Sequence, residues 1–450
     1  MDKTRYIALT DINPKHLPWT EKDDIQSLIR LLLYSNEIDI EGIILCSSCF
    51  LKKGGGKGAL KIVNKLVDAY GEVKPNLDIH AHGYPEADEL RRRVHMGIPA
   101  FGHSQGNGFA EEKYSDNDGV RCIIDALRSP DPRPLWIGIW SGANTLAQAL
   151  WQIRKDCCPE EEAKLISKLR IHSISDQDMS GEWIRRNFPS LFYIVTPSNG
   201  TMRGTKEYCK AVWPGISADR NQHGSENGIS GGGFSGADTS FIEEKWLDEH
   251  IRKGPLGSLY PKTVFIAEGD TPAFLGLIPN GLNDPEHPEY GGWSGRYQNV
   301  VSPEGSRIFS GAADSVNGID GKMRKSPQAS LWRWRRDFQL DFAARINWSI
   351  NGIYENCSHA PIIATDISQK DGIITIDASR CSSPDGESVK YCWMWYPEAG
   401  TASELPKIDE NAEKISFSLS KPGTYHLILR VSDSRETGIC SYKRFIFKPN

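Results

Sequence analysis

The first forty-five residues constrain the fold most. They run Tyr6-Ile7-Ala8-Leu9-Thr10-Asp11, then a loop to Asp23-Asp24, then IQSLIRLLLYSN and IDIEGIIL. A short apolar run that stops at a carboxylate reads as a buried parallel strand, which delivers Asp11 to the carboxyl edge of a sheet. Asp23 and Asp24 open a helix in which Ile25, Leu28, Leu31 and Leu32 recur at helical spacing. IEGIIL is a second buried strand, so the unit is βαβ and its ligands belong at the strands' carboxyl ends. Helix capping accounts for acids at a helix start. It does not account for Asp11 at a strand end, so the three carboxylates are read as a metal site.

The 450 residues exceed one ordinary core, and two domains are expected. A net charge of −5 argues against a nucleic-acid partner. No run of eighteen apolar residues is present, so no membrane span is expected. No signal peptide is visible: the chain is expected in the cytoplasm if complete, and outside the cell if a leader has been trimmed. Cys46-x-x-Cys49 and Cys157-Cys158 have no second pair at zinc spacing, and most of the ten cysteines read as buried thiols. The glycines of LKKGGGKGAL lack the first Gly and the Ser/Thr of a phosphate loop, which leaves a basic loop entering a helix.

Residues 60–70 and 86–96 read as helices. IPAFGHSQGNGF is a glycine-rich loop whose His103, Gln105 and Asn107 could bond sugar hydroxyls or merely connect. PLWIGIWSGANTLAQAL is a strand, a Ser-Gly turn and a helix, with Asn144 either a sugar ligand or a polar first-turn residue. The next strand ends at a turn carrying Asp176, Gln177 and Asp178. Residues 215–238 have the composition of a lid or a structureless loop; if it closes, His223 and Glu226 are candidates for the acid. KTVFIAEGD reads as a strand running into Glu268-Gly269-Asp270, followed by a Thr-Pro helix start. NDPEHPEYGGWSGRYQ is either a stacking platform for sugars or a packed irregular loop. Residues 329–350 read as the last helix of the large domain, with Trp332, Phe338 and Phe342 in the core. From His359 onward, PIIAT, GIITIDAS, VKYCWMWYP, KISFSLS, GTYHLILRVSD and SYKRFIF alternate between turn signals, the pattern of a β-sandwich. The expected domains are 1–355 and 356–450.

The strand–Asp–loop–Asp-Asp–helix order resembles the calcium-binding opening of the nucleoside hydrolases. The wording LTDI…DDIQSLIRLLLYSNEIDIEGII is closer to their nucleoside hydrolase-like relatives with a C-terminal immunoglobulin-like domain, some labelled cellulose-binding. The resemblance implies an α/β fold: a nucleoside hydrolase-like, open, mostly parallel sheet with flanking helices, followed by a small all-β immunoglobulin-like sandwich. It implies Ca²⁺ held by Asp11, Asp24, Asp270 and the backbone carbonyl of Ser141. It places substrate-side groups around Asp176, Gln177 and Asp178, with Asn144 and Glu268 as further candidates. Two departures stand out: Leu9 occupies the position of an earlier Asp, and Gly269 that of a His which meets substrate or leaving group. The loop from Asp11 to Asp23 is also longer and carries Pro14, His16, Pro18 and Trp19. The DAS…SPDG and GTYHLILRVSD wording resembles sandwich domains of the polycystic-kidney-disease type, for which a buttressing role is favoured over sugar binding.

An oxygen-only donor set suits calcium better than zinc. In the mechanism this implies, Asp11 takes a proton from water attacking an anomeric carbon, and Asp23 hydrogen-bonds a sugar hydroxyl. Direct attack predicts inversion. The expected function is a calcium-dependent glycosyl hydrolase acting on a glycoside or N-riboside. The alternative is a non-catalytic, calcium-dependent binder of a cellulose-like glycan. The expected partner is a carbohydrate or nucleoside small molecule, and a homo-oligomer is left open.

Overall fold

The structure, a computed structural model, describes residues 3–14, 22–102, 112–196, 211–213, 215–216, 236–263, 266–300, 305–435 and 438–449. His16, Pro18, Trp19, His103, Gln105, Asn107, His223 and Glu226 therefore lie outside the described residues. An eight-stranded sheet carries the large region. Its strands are β1 (Thr4–Thr10), β2 (Ile38–Leu45), β3 (Val94–Met96), β4 (Leu135–Ile139), β5 (Leu169–Ser173), β6 (Phe192–Val195), β7 (Tyr297–Asn299) and β8 (Ile308–Gly311). The order is β3-β2-β1-β4-β5-β6-β8-β7, parallel throughout except for the β7–β8 edge pair. β1 is central because both its faces are apolar: Tyr6 and Ala8 enter one buried cluster, Ile7 and Leu9 the other. Leu9 thus fills the core on the face away from Tyr6.

The helices named below are α1 (Asp23–Leu33), α2 (Gly56–His80), α3 (Ala87–Arg92), α4 (Asp118–Arg128), α5 (Asn144–Asp156), α6 (Pro159–Lys168), α7 (Ser180–Asn187), α8 (Glu244–His250), α9 (Gly254–Gly257), α10 (Pro272–Leu275) and α11 (Ala329–Ile350). Two helix expectations change. α2 runs ten residues past Tyr70 and through Pro75, because its buried face (Val63, Leu66, Val67, Tyr70, Val73, Leu77) continues without a break. That packing overrides the lost donor of Pro75. The segment 86–96 is helical only over α3; Val94–Met96 instead joins the sheet edge beside β2. The expected strand before Glu268 is not formed at Ile266 and Ala267, and Val264 and Phe265 lie outside the described residues. α11 spans the residues expected, with Phe338 and Phe342 fully buried, while Trp332 is half-buried and Trp334 takes the core position.

After a short hairpin of β9 (Asp314–Asn317) and β10 (Met323–Ser326), the chain passes through α11 into two antiparallel three-stranded sheets. One is β11 (Asp366–Lys370), β12 (Ile373–Asp377) and β14 (Lys414–Ser418); the other is β13 (Val389–Trp395), β15 (Tyr425–Asp433) and β16 (Cys440–Phe447). PIIAT contributes only the bridge Ile362–Ser382, and β11 is a strand that its polar sequence does not announce. Between the sheets Trp393, Ile376, Leu427, Leu429 and Val431 are fully buried in a core of their own. The outer face of β13, β15 and β16 joins the larger core instead, through Tyr396, Ile428 and Tyr442. Arg430 there forms a fork with Asp337 of α11, at 2.7 and 2.6 Å. We expect residues 359–450 expressed alone to give a β-type circular dichroism spectrum from that inner core, and to self-associate through the uncovered outer face. A random-coil spectrum would show that the inner core is insufficient.

Candidate functional site

Four strand ends meet at one edge. Beyond Thr10, Leu45, Ile139 and Ser173 the chain turns through Asp11, Ser47-Ser48, Ser141-Gly142 and Ser175–Asp178. Backbone bonds lash these turns together: Cys46 N–H donates to Thr10 O, Gly142 N–H to Ser47 O, and Cys49 N–H to Gln177 O. In open α/β sheets ligands bind outside this edge. Asp23 and Asp24 arrive from the first turn of α1, and Asp270 from the turn before α10.

One carboxylate oxygen from each of Asp23, Asp24 and Asp270 lies within 4.8 Å of the others, and all three residues are buried. Asp11 adjoins this trio: its N–H donates to Asp24 Oδ1 at 3.2 Å, and its Oδ2 accepts the Ser48 hydroxyl. Thr10 Oγ1 donates to the same Asp24 oxygen. Sequence reasoning singled out neither Ser48 nor Thr10. Their signal is a hydroxyl residue beside a strand end that also carries an acid. Burial pushes Asp11 well above the usual carboxylate range, and the Asp24 charge adds to it. Asp23 is raised by burial and then by Asp24; Asp24 is raised by burial, with the Thr10 hydrogen bond opposing. Among the described residues no lysine or arginine pairs with Asp11, Asp23 or Asp24. Asp23 Oδ1 is buried there without a hydrogen-bond partner.

The other expected site residues divide. Ser141 is fully buried in the β4–α5 turn, with its hydroxyl donating to Gly142 O. Asn144 spends its amide hydrogens on Ala100 O and Ser47 Oγ, at 2.5 and 3.2 Å, which ties the 98–100 segment to the sheet rather than capping α5. Asp176 is held by both arms of Arg185 at 2.8 Å. Gln177 Nε2 donates to Trp140 O, while its Oε1 is buried without a hydrogen bond among the described residues. Asp178 accepts the Ser180 N–H on Oδ1, and its Oδ2 is buried without such a bond. Burial raises its carboxyl to about 6.

Glu268 is neither a surface acid nor open to a ligand. It is fully buried and forms an ion pair with Arg30 at 2.6 and 2.8 Å, with Tyr260 and Thr271 hydroxyls on the same carboxylate. Its φ of 51° is left-handed, which costs a non-glycine residue roughly 1–2 kcal/mol. The Gln26 side chain holds its N–H and Trp213 Nε1 its carbonyl, so every polar group of Glu268 is fixed. The residue anchors the turn that presents Asp270 two positions on. Between them, a Cβ on Gly269 would stand 2.2 Å from Asp23 Oδ2. A side chain at 269 would therefore have to displace the Asp23 carboxylate from its present position.

No curated protein matches the chain. Five chains of solved structures match it. One is a nucleoside hydrolase-related hypothetical protein from Saccharophagus degradans, described as associated with carbohydrate metabolism. It is 28% identical, with a TM-score of 0.76, over 99% of this chain and 100% of its own. Residues 373–449 match the family described as cellulose-binding protein Sde0182, C-terminal domain. Residues 5–297, well over half of the chain, match the description cellulose-binding Sde182, nucleoside hydrolase-like domain, and the chain belongs to that family.

Proposed function

We propose that the acidic centre is a calcium-dependent carbohydrate site and that the chain is a glycosyl hydrolase. The observation that carries this reading is the buried trio of Asp23, Asp24 and Asp270 with Asp11 one hydrogen bond away. Desolvating such carboxylates costs several kcal/mol each unless a cation compensates. The donors are all oxygen and acidic, which fits a hard cation, and Asp23 Oδ1 has a lone pair given to no other group described. Asp24 and Asp270 belong to the ligand set on both sequence and geometric grounds. Asp11 and the Ser141 carbonyl complete the set implied by the family, and Asp23 lies close enough to share it. Calcium, when bound, supplies the positive charge that attracts vicinal sugar hydroxyls and makes water more acidic.

Asp11 is the general base. Ser48 fixes one of its oxygens, leaving the other to take the proton of the water that attacks the anomeric carbon. Meanwhile the glycosidic bond breaks, and the aglycone leaves with its electron pair and takes a proton from solvent. Asp23 orients a sugar hydroxyl, and Gln177 Oε1 and Asp178 Oδ2 are further acceptors on the neighbouring turn. The surrounding carboxylates stabilise an oxocarbenium-like transition state, and direct attack inverts the anomeric centre. A glycoside is favoured over a nucleoside, because Gly269 offers no side chain to meet a nucleobase. That same feature and the family's cellulose-binding description support a second reading, a binder of cellulose-like glycans without turnover. Assaying aryl glycosides, cello-oligosaccharides and nucleosides with calcium and with chelator separates them. Calcium-dependent release of product supports the enzyme; calcium-dependent binding without release supports the binder; neither would overturn both.

Asp24→Ala removes a carboxylate that bonds both Thr10 and the Asp11 N–H. The expected outcome is a folded protein whose calcium content, by elemental analysis after dialysis, falls from one equivalent to near zero. Full occupancy would place the metal elsewhere.

A further inference from the structure

The C-terminal end of α2, the linker after α11 and the loop between β12 and β13 meet far from the acidic centre in chain position, at a stack of rings. His80 and His359 are both buried, and the Tyr354 ring lies on His359 at 3.7 Å with an interplanar angle of 5°. Trp348 stacks on both imidazoles. Three polar contacts run through the pair. His80 Nε2 meets Asn351 O at 2.7 Å, His80 Nδ1 meets His359 Nε2 at 3.0 Å, and His359 Nδ1 meets Asp385 Oδ1 at 2.6 Å. The His359 N–H also donates to Asp385 Oδ2, at 2.8 Å.

Counting hydrogens decides the charge. A carbonyl only accepts, so His80 Nε2 carries a hydrogen. An ionised carboxylate only accepts, so His359 Nδ1 carries one. The contact between the rings needs a third. Two neutral imidazoles supply two hydrogens, and this chain of bonds uses three. We propose that this seam is a proton-binding site: His80 and His359 together hold one extra proton, with Asp385 as its counter-ion, and the proton locks the C-terminal strands to α2.

The third hydrogen belongs on His359 Nε2, the ring beside the anion. His80 is then neutral, hydrogen on Nε2, accepting at Nδ1. Burial holds His80 below the ordinary histidine value, which agrees with that assignment. Burial pushes the Asp385 carboxyl up, but hydrogen bonds from His359 and Arg435 outweigh it and keep the group ionised. The other charged or titratable groups facing the pair are few. Arg435 bridges Asp385 and Asp433, Cys357 is buried beside Asp385, and Tyr354 and Glu355 come from the linker. None of these gives the middle contact a hydrogen. Removing the shared proton sets two lone pairs against each other at 3.0 Å; adding a second sets two N–H groups against each other. The lock is therefore tightest in the one-proton state and loosens on both sides of it, so pH governs how firmly the C-terminal strands hold to the large sheet.

Nitrogen NMR of the full-length protein, with ¹⁵N-labelled histidine, tests the assignment at neutral pH. Expected are one ring with both nitrogens protonated, coupled through a hydrogen bond to a second ring protonated only at Nε2. Both signatures should vanish in His359→Gln and in His80→Gln. Asp385→Asn keeps an acceptor oxygen but removes the counter-charge, and should abolish the doubly protonated ring at the same pH. Two singly protonated rings in the wild type would overturn the proposal. So would an unchanged doubly protonated ring in Asp385→Asn. Wild-type spectra need no variant to fold, so the count of hydrogens is readable in any case.

Discussion

Glu268→Ala is expected to destabilise the protein by about 3–5 kcal/mol, the usual cost of removing one partner of a buried ion pair. Arg30 and Glu268 are both fully buried, so the substitution strands a guanidinium with Gln339 and the Phe338 carbonyl as its remaining partners. It also removes the acceptor of the Tyr260 hydroxyl and leaves the Thr271 hydroxyl with Ser27 alone. Replacing both partners together, as Arg30→Met with Glu268→Leu, should recover much of the loss, because no unpaired charge is then left buried. Denaturant unfolding followed by tryptophan fluorescence checks this. A Glu268→Ala midpoint equal to wild type would show that the pair does not anchor the turn. Because Glu268 holds the turn that carries Asp270, weakened calcium binding should accompany the loss of stability, and calcium should restore part of it.

Asp11→Asn is expected to lower turnover on the order of 10²–10⁴-fold at saturating calcium, the range for losing a general base. Asparagine keeps one oxygen, for the Ser48 hydroxyl or for a cation, and puts an amide that takes up no proton near neutral pH in place of the other. Sugar affinity should change little, because the neighbouring turns stay tied by backbone bonds. Equal turnover at saturating calcium would remove Asp11 from the base role.

The parts of this site that the sequence shows are those set by strand ends. A buried parallel strand is an uninterrupted apolar run, so the residue that breaks it lies at the carboxyl edge, and Asp11, Ser141 and Asp176–Asp178 follow directly. Asp23 and Asp24 are readable as the polar start of an amphipathic helix. What the sequence conceals is which way a turn faces. Glu268 and Asp270 are two residues apart on one turn, yet one enters an ion pair beneath it and the other the acidic trio. Asn144 looks like a ligand by type, but its amide is taken up by the Ala100 carbonyl and the Ser47 hydroxyl, both more than forty residues away. Pro75 looks like a helix end and is not, because the apolar face on either side of it is continuous. Each of these depends on long-range contacts that no local pattern encodes. The closeness of Gly269 to Asp23 is of the same kind: sequence shows the glycine, and only the fold shows the Asp23 carboxylate packed against it.

The pH dependence of the centre has a definite sign. Asp11, Asp23 and Asp24 all bind protons more tightly folded than unfolded. Without metal, their contribution to stability is present in acid and is lost as pH rises through their raised values. Calcium competes with those protons, so its stabilising effect should grow over the same rise. The most direct measurement is therefore calcium titration of chelator-stripped wild type, by calorimetry and by thermal unfolding, at about pH 5 and about pH 8. One calcium per chain is predicted, with a larger upward shift of Tm at the higher pH and none in Asp24→Ala. No binding heat and no shift at either pH would contradict a cation centre at Asp11, Asp24 and Asp270.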